Sequence, residues 1–190
     1  MKKLLFLSLV ILFSSCKEES SQAVALSLAP GNWRLTFDLG NEKALPVQLK
    51  VNKDQTLTMY NADEEITVTE ITIEGDSIFI KPPVFEGYFK GKFQSNELIT
   101  GEHVKPSLDR VLPFTMSAGE NYRFAESKNQ TTSSFISGGY ETVFSPDSES
   151  DRYIAKGVFD QKGDKVTGTF ETTTGDYRFL QGSVINDTLK

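Results

Sequence analysis

Apolar and polar residues alternate with a period of two over much of this chain. Trp33, Leu35, Phe37 and Leu39 are separated by Arg34, Thr36 and Asp38, and Leu45, Val47, Leu49 and Val51 by Pro46, Gln48 and Lys50. Successive side chains of a strand point to opposite faces, so this spacing predicts strands with one buried and one wet face. Pro46 has no N–H to donate, which places its segment at an edge or at an irregular start. Ile66 and Val68 keep one phase and Ile71 and Ile73 another, and the slip near Glu70 reads as a bulge. Gly75-Asp76 marks a turn, Ser77-Ile78-Phe79-Ile80 opens a further strand, and Pro82-Pro83 stops it. Nearer the C-terminus, strands are expected over 153–159, 166–173 and 177–185. Gln161-Lys162-Gly163, Thr174-Gly175-Asp176 and Asn186-Asp187 follow them as turns, the pattern of an antiparallel meander. No stretch beyond the first fifteen residues sustains a helical period.

The chain echoes itself. Gly31, Trp33 and Phe37 share their spacing with Gly138, Tyr140 and Phe144. The run 51–58 loosely resembles 158–167, and Ile73-Glu74-Gly75-Asp76-Ser77-Ile78 resembles Ile185-Asn186-Asp187-Thr188-Leu189. Three matches in the same order suggest a duplicated β unit. The expected fold is therefore all-β: an antiparallel barrel or curved sandwich built from two similar halves, 31–116 and 138–190. The polar, irregular segment 117–137 is their linker. The 14 Phe, 6 Tyr and many Thr, Val and Ile favour strands as well. In the second half the turn at Asn186-Asp187 leads into only Thr188-Leu189-Lys190, where the first half has a full strand to Lys81. An unpaired edge is an unusual place to stop, so the β domain 31–190 is expected to be truncated at its C-terminus.

The N-terminus changes the picture of where this domain resides. Met1-Lys2-Lys3 precedes an apolar run of ten residues, broken only by Ser8, and then Ser14-Ser15-Cys16. A spanning helix needs roughly 20 apolar residues, so 1–15 reads as a cleaved export signal. Small residues before a cysteine resemble the bacterial lipobox, in which that cysteine becomes the acylated first residue, although Phe13 stands where Leu is typical. Cys16 is the only cysteine and has no partner for a disulfide. Residues 16–30 are then the acylated Cys16 and a flexible tether, since Lys17-Glu18-Glu19-Ser20-Ser21-Gln22 is too polar to fold. The Cys-Lys-Glu-Glu run also resembles a signal for export to the outer face of the outer membrane. The expected address is the cell envelope, lipid-anchored at the outer membrane, on its periplasmic or surface face. Loss of 1–15 takes Lys2, Lys3 and no acid, so the net charge moves from −6 to −8. Such a domain has no electrostatic footprint for nucleic acid.

Candidate chemistry is sparse. Dithiol redox catalysis needs two cysteines. His103 is the sole histidine, so a multi-histidine metal site is ruled out. A Ser-His-Asp reading would have to use His103, Ser107 and Asp109, all crowded around Pro106, and this stretch reads as a surface loop instead. Asp63-Glu64-Glu65 and Glu149 with Asp151 read as solvated loop charge rather than paired carboxylates or a calcium site. Asp76-Ser77-Ile78 and Asp187-Thr188-Leu189 resemble a three-residue O-glycosylation motif, with turn-then-strand the simpler reading. No catalytic residue, cofactor or metal is assigned, and Cys16 as the lipidation site is the one site residue.

Gly168-Thr169-Phe170-Glu171-Thr172-Thr173-Thr174-Gly175-Asp176-Tyr177-Arg178-Phe179-Leu180-Gln181-Gly182 resembles the N-terminal β domain of lipid-anchored, TlpA-like (thioredoxin-like) thiol:disulfide oxidoreductases. Gly31-Asn32-Trp33-Arg34, Leu45-Pro46 and Glu65-Ile66-Thr67-Val68 agree with it. In that family a thioredoxin-like domain with Cys-x-x-Cys follows and carries the activity; it is absent from this chain. The resemblance implies a non-catalytic accessory domain whose partners are the membrane, through the lipid, and thiol-containing envelope proteins. The alternative is a self-sufficient lipid-anchored β domain that binds a small apolar ligand or an envelope partner.

Overall fold

The computed structural model describes residues 26–41, 43–84, 86–124 and 134–190, so Cys16 and the stretches called signal and tether before residue 26 lie outside it. Nine strands form the first sheet: β1 (Gly31–Asp38), β2 (Ala44–Val51), β3 (Leu57–Asn61), β4 (Glu64–Val68), β5 (Glu70–Glu74), β6 (Ser77–Lys81), β7 (Tyr88–Ser95), β8 (Leu98–Lys105) and β9 (Arg110–Ala118). Their spatial order is β4-β3-β2-β1-β9-β8-β7-β6-β5, with every pairing antiparallel. β9 returns to β1, with Phe37 opposite Phe114 and Trp33 opposite Ala118. The sheet curls into a nearly closed barrel rather than one layer of a sandwich.

The two edges of this sheet, β4 and β5, are joined by Thr69 alone. Nine strands that reversed at every link would leave β1 and β9 parallel, but they are antiparallel. The link that fails to reverse is the one-residue step at Thr69. β4 and β5 are therefore one bent strand, whose first half pairs with β3 (Leu57 with Val68) and whose second half pairs with β6 (Glu70 with Lys81). Counted this way the barrel has eight staves and closes through its own covalent chain. The phase slip in the sequence is this bend: Ile66 and Val68 face inward before it, Ile71 and Ile73 after it. Pro46 lies within β2, between β1 and β3, but β3 reaches only Gln48–Val51. The proline therefore has an open side, as an edge position requires.

One end of the barrel is closed. Residues 26–29, expected to belong to the flexible tether, instead cross it, because the apolar Leu28 is fully buried in one cluster with Trp33, Val51, Leu57, Val68, Ile99 and Met116. Gln55 holds this plug by accepting from Leu28 N–H and donating to its carbonyl, at 3.2 Å each. Asn96 accepts from Ser27 N–H at 3.3 Å and Ala29 N–H at 3.2 Å. The Trp33 indole N–H donates to the Ala29 carbonyl at 2.7 Å, which satisfies the one polar atom of the largest buried side chain. Each fully buried aliphatic side chain of this floor contributes about 1.5–3 kcal/mol.

The second sheet is a curled half-barrel of β10 (Gly138–Phe144), β11 (Tyr153–Lys162), β12 (Lys165–Thr172), β13 (Gly175–Ile185) and β14 (Thr188–Leu189), in that order. It repeats the sequential meander of β1, β2, β3, the bent strand and β6. β13 spans eleven residues, as does the bent strand from Glu64 to Glu74. Asn186 and Asp187 both adopt positive φ (50° and 59°), the hairpin turn their side chains tolerate. Beyond β14, Lys190 exchanges two backbone hydrogen bonds with Ser183.

The linker is shorter than its sequence suggests. Ser117 and Ala118 belong to β9 and pair with Arg34 and Trp33, because the polar Ser117 falls on the wet face of a strand. Residues 119–121 then run along the outside of β1 and β2. Gly119 N–H donates to Asn32, Arg34 pairs with Glu120 at 3.0 Å, and the Gln48 amide donates to the Asn121 carbonyl at 2.8 Å.

Candidate functional site at the barrel mouth

Opposite the plugged floor the barrel stays open. β1 ends here, β2 begins here, β3 ends and β4 starts here, and β8 runs out here. Their inward side chains wall a cavity of about 550 Å³, within the range of small-molecule sites. Phe37, Val47, Met59, Ile66 and Phe89 make its apolar wall, and Leu45 stands at the rim. The second sheet supplies the roof: Arg178, Phe179, Leu180 and Gln181 of β13 reach over the mouth, and the Gln181 side chain accepts from the Ala62 backbone N–H at 2.8 Å.

A bulge aims this roof. The pairing of β12 with β13 shifts between Gly168 and Phe170, so Gly168 faces Leu180 while Phe170 faces Tyr177. The extra residue is taken up at Phe179, whose φ is +59°. Such a backbone is uncommon for a bulky side chain and, next to a cavity, marks a re-aimed segment.

His103 corrects the sequence reading. It is not on a surface loop but in β8, inward-facing on the cavity wall, 4.6 Å from the Phe89 ring and 5.6 Å from Phe37 between centroids. Burial, with help from the Lys105 ammonium, holds its imidazole below the usual histidine range. The loop proper is the 3-10 turn Pro106–Leu108, ended by Asp109 in the left-handed conformation (φ 45°). Ser107 gives its N–H and hydroxyl to Glu86. That hydroxyl bond keeps the Glu86 carboxyl below its ordinary range. Among the described residues no hydrogen bond joins Ser107, His103 and Asp109. Glu64 and Glu65 likewise sit in β4, not in a loop, because the acidic run starts a strand whose inward positions Ile66 and Val68 are apolar.

Charge is distributed unevenly here. The chain carries −6 overall, yet among the described residues the cavity lining holds Lys105, Arg123 and Arg178 against the single carboxylate of Glu86. Arg178 is paired with Asp176 at 3.0 Å. Arg123, which the sequence reading passed over inside a polar linker, lines the cavity with its Nε buried and without a hydrogen-bond partner. Burial lowers its pKa, and no carboxylate of the described residues acts on it.

A second depression of about 670 Å³ lies on the outer face of β5–β8. Its two lysines are already matched, Lys90 with Glu102 at 3.1 Å and Lys92 with Asp76 at 3.2 Å, and it is an open groove in the sheet surface. The barrel mouth is the better-formed site. No family model, no curated protein and no solved structure matches this chain, so the site is read from its own geometry.

Proposed function

We propose that this protein binds a small apolar molecule in the mouth of its barrel. The observation that carries the reading is the cavity itself: an apolar-walled space of about 550 Å³ at the open end of a barrel whose other end is plugged. A well-packed interior leaves few voids larger than a water molecule. A space of this size, framed by a few polar groups, is what a ligand site requires. With Cys16 as a lipid anchor, the cup is displayed at the cell envelope. The resemblance to the accessory domain of TlpA-like oxidoreductases rests on sequence, and its longest run, 168–182, forms the β12–β13 hairpin that roofs the mouth. Both roles can reside in one domain.

Nile red, a neutral apolar dye, tests the binding reading. Its fluorescence should rise saturably with wild-type protein and be displaced by dodecanol. Val47→Trp, which grows a side chain into the cavity, should abolish the saturable rise while leaving the β-type circular dichroism intact. Undiminished dye binding by a folded Val47→Trp protein would overturn the proposal. Membrane fractionation of Cys16→Ala tests the anchor: an unchanged membrane yield would remove it.

A further inference from the structure

Arg123 is the feature of the mouth that an apolar ligand alone does not explain. A guanidinium keeps its charge inside a protein and offers five N–H donors. Taking it out of water is costly unless an anion and hydrogen bonds replace the water. Here Nε is buried with no acceptor, and no carboxylate among the described residues forms an ion pair with the group. Among the described residues the one carboxylate on the cavity wall, Glu86, is exposed and engaged with Ser107. The neighbouring Arg178 is held by Asp176. Arg34, the other arginine with a buried and unpartnered Nε, differs: it has Glu120 at 3.0 Å and lies over the Tyr122 ring.

We infer that the ligand of the barrel mouth is an amphiphilic anion of the fatty-acid class, its carboxylate received by the Arg123 guanidinium and its hydrocarbon body held by Phe37, Val47, Met59, Ile66 and Phe89. The inference rests on the apolar-ligand reading above and adds the head group. Guanidinium and carboxylate match in plane and spacing, so two parallel N–H···O bonds form at once. Lys105 supplies a second positive charge on the same wall, which favours one anionic head over a zwitterion. Burial disfavours the imidazolium of His103, which lies against the Phe37 and Phe89 rings in the apolar part.

The test compares laurate with dodecanol, equal in chain length and different in charge, by calorimetric titration of the wild type, Arg123→Gln and Arg178→Gln. Laurate should bind the wild type at least about tenfold more tightly than dodecanol, the usual worth of a charged hydrogen-bonded pair. Arg123→Gln should erase that preference while dodecanol affinity stays put. Arg178→Gln should keep most of it, since Arg178 already has a partner. Equal binding of laurate and dodecanol to the wild type would overturn the anion assignment and leave the apolar cavity standing. A laurate preference that survives Arg123→Gln would overturn the role of Arg123. Failure of both compounds to bind would overturn the apolar-ligand reading together with this one.

Discussion

Single side chains at the mouth work against their own solvation, and His103 gives this a measurable sign. Its folded pKa lies below the ordinary histidine value because burial, then the Lys105 ammonium, disfavours the imidazolium. Arg123, Lys105 and Arg178 face the same cavity, and Glu86 is the one acid of the described residues there. The unfolded chain therefore binds a proton more readily than the native one. The stabilising contribution of neutral His103 is fully present above about pH 6.5, the unfolded value, and is lost as pH falls toward the folded one. His103 is the sole histidine, and the shifted acids Asp54, Asp76 and Glu86 titrate lower still. Denaturant midpoints between pH 7 and 5 should fall for the wild type and fall less for His103→Gln. Parallel pH curves for the two proteins would refute this account. None of this was legible in sequence: His103 sits near Pro106, and its inward orientation depends on the register of β8 with β7 and β9. Arg123 is one cation in a polar stretch, and only the fold brings it to the mouth.

At the scale of elements, legibility followed the alternation of side chains. The strands from 33 to 81, β3 excepted, and those from 153 to 185 were readable because their inward positions carry apolar residues and their turns carry Gly, Asn and Asp. β7 and β8 were harder, since Gly91 and Gly101 occupy inward positions where an apolar residue is expected. The reason for these glycines is packing. They face one another across the ladder, and a Cβ on Gly91 would meet the Phe114 ring at 3.2 Å. A Cβ on Gly101 would lie 2.6 Å from the Gly91 Cα and closer still to the Lys90 carbonyl. Gly101→Ala should therefore cost about 1–3 kcal/mol through overpacking, despite alanine's better strand preference. Gly139→Ala, whose Cβ would find nothing nearer than the Lys156 side chain at 3.8 Å, should be close to neutral. Denaturant midpoints of the two variants check this, and equal values would dismiss the packing account.

The molecule as a whole divides its stability unevenly between the two sheets. The buried apolar residues gather in the barrel and its Leu28 plug, whereas the second sheet buries only Ala155, Val166, Val184 and Ile185. The roof over the mouth thus belongs to the weaker part, consistent with the low local stability of elements that must move around a ligand. The bent strand has a further consequence, a kinetic one. Among the described residues no ladder hydrogen bond crosses the free side of β4, and the stave that would have paired there, β6, halts at Pro82-Pro83, which have no N–H to give. Ile66 and Pro82 both border the cavity at this seam. A gap here can widen without breaking a backbone hydrogen bond, so if a ligand occupies the cavity the seam is expected to act as a side portal, with traffic through the wall faster than the depth of the cup alone would allow. Replacing both prolines, Pro82→Val with Pro83→Val, lets β6 extend along β4 and stitch the portal shut. Stopped-flow dye measurements should then show association and dissociation slowed together, with the Kd nearly unchanged. Unaltered rates would mean that ligands come and go by the mouth.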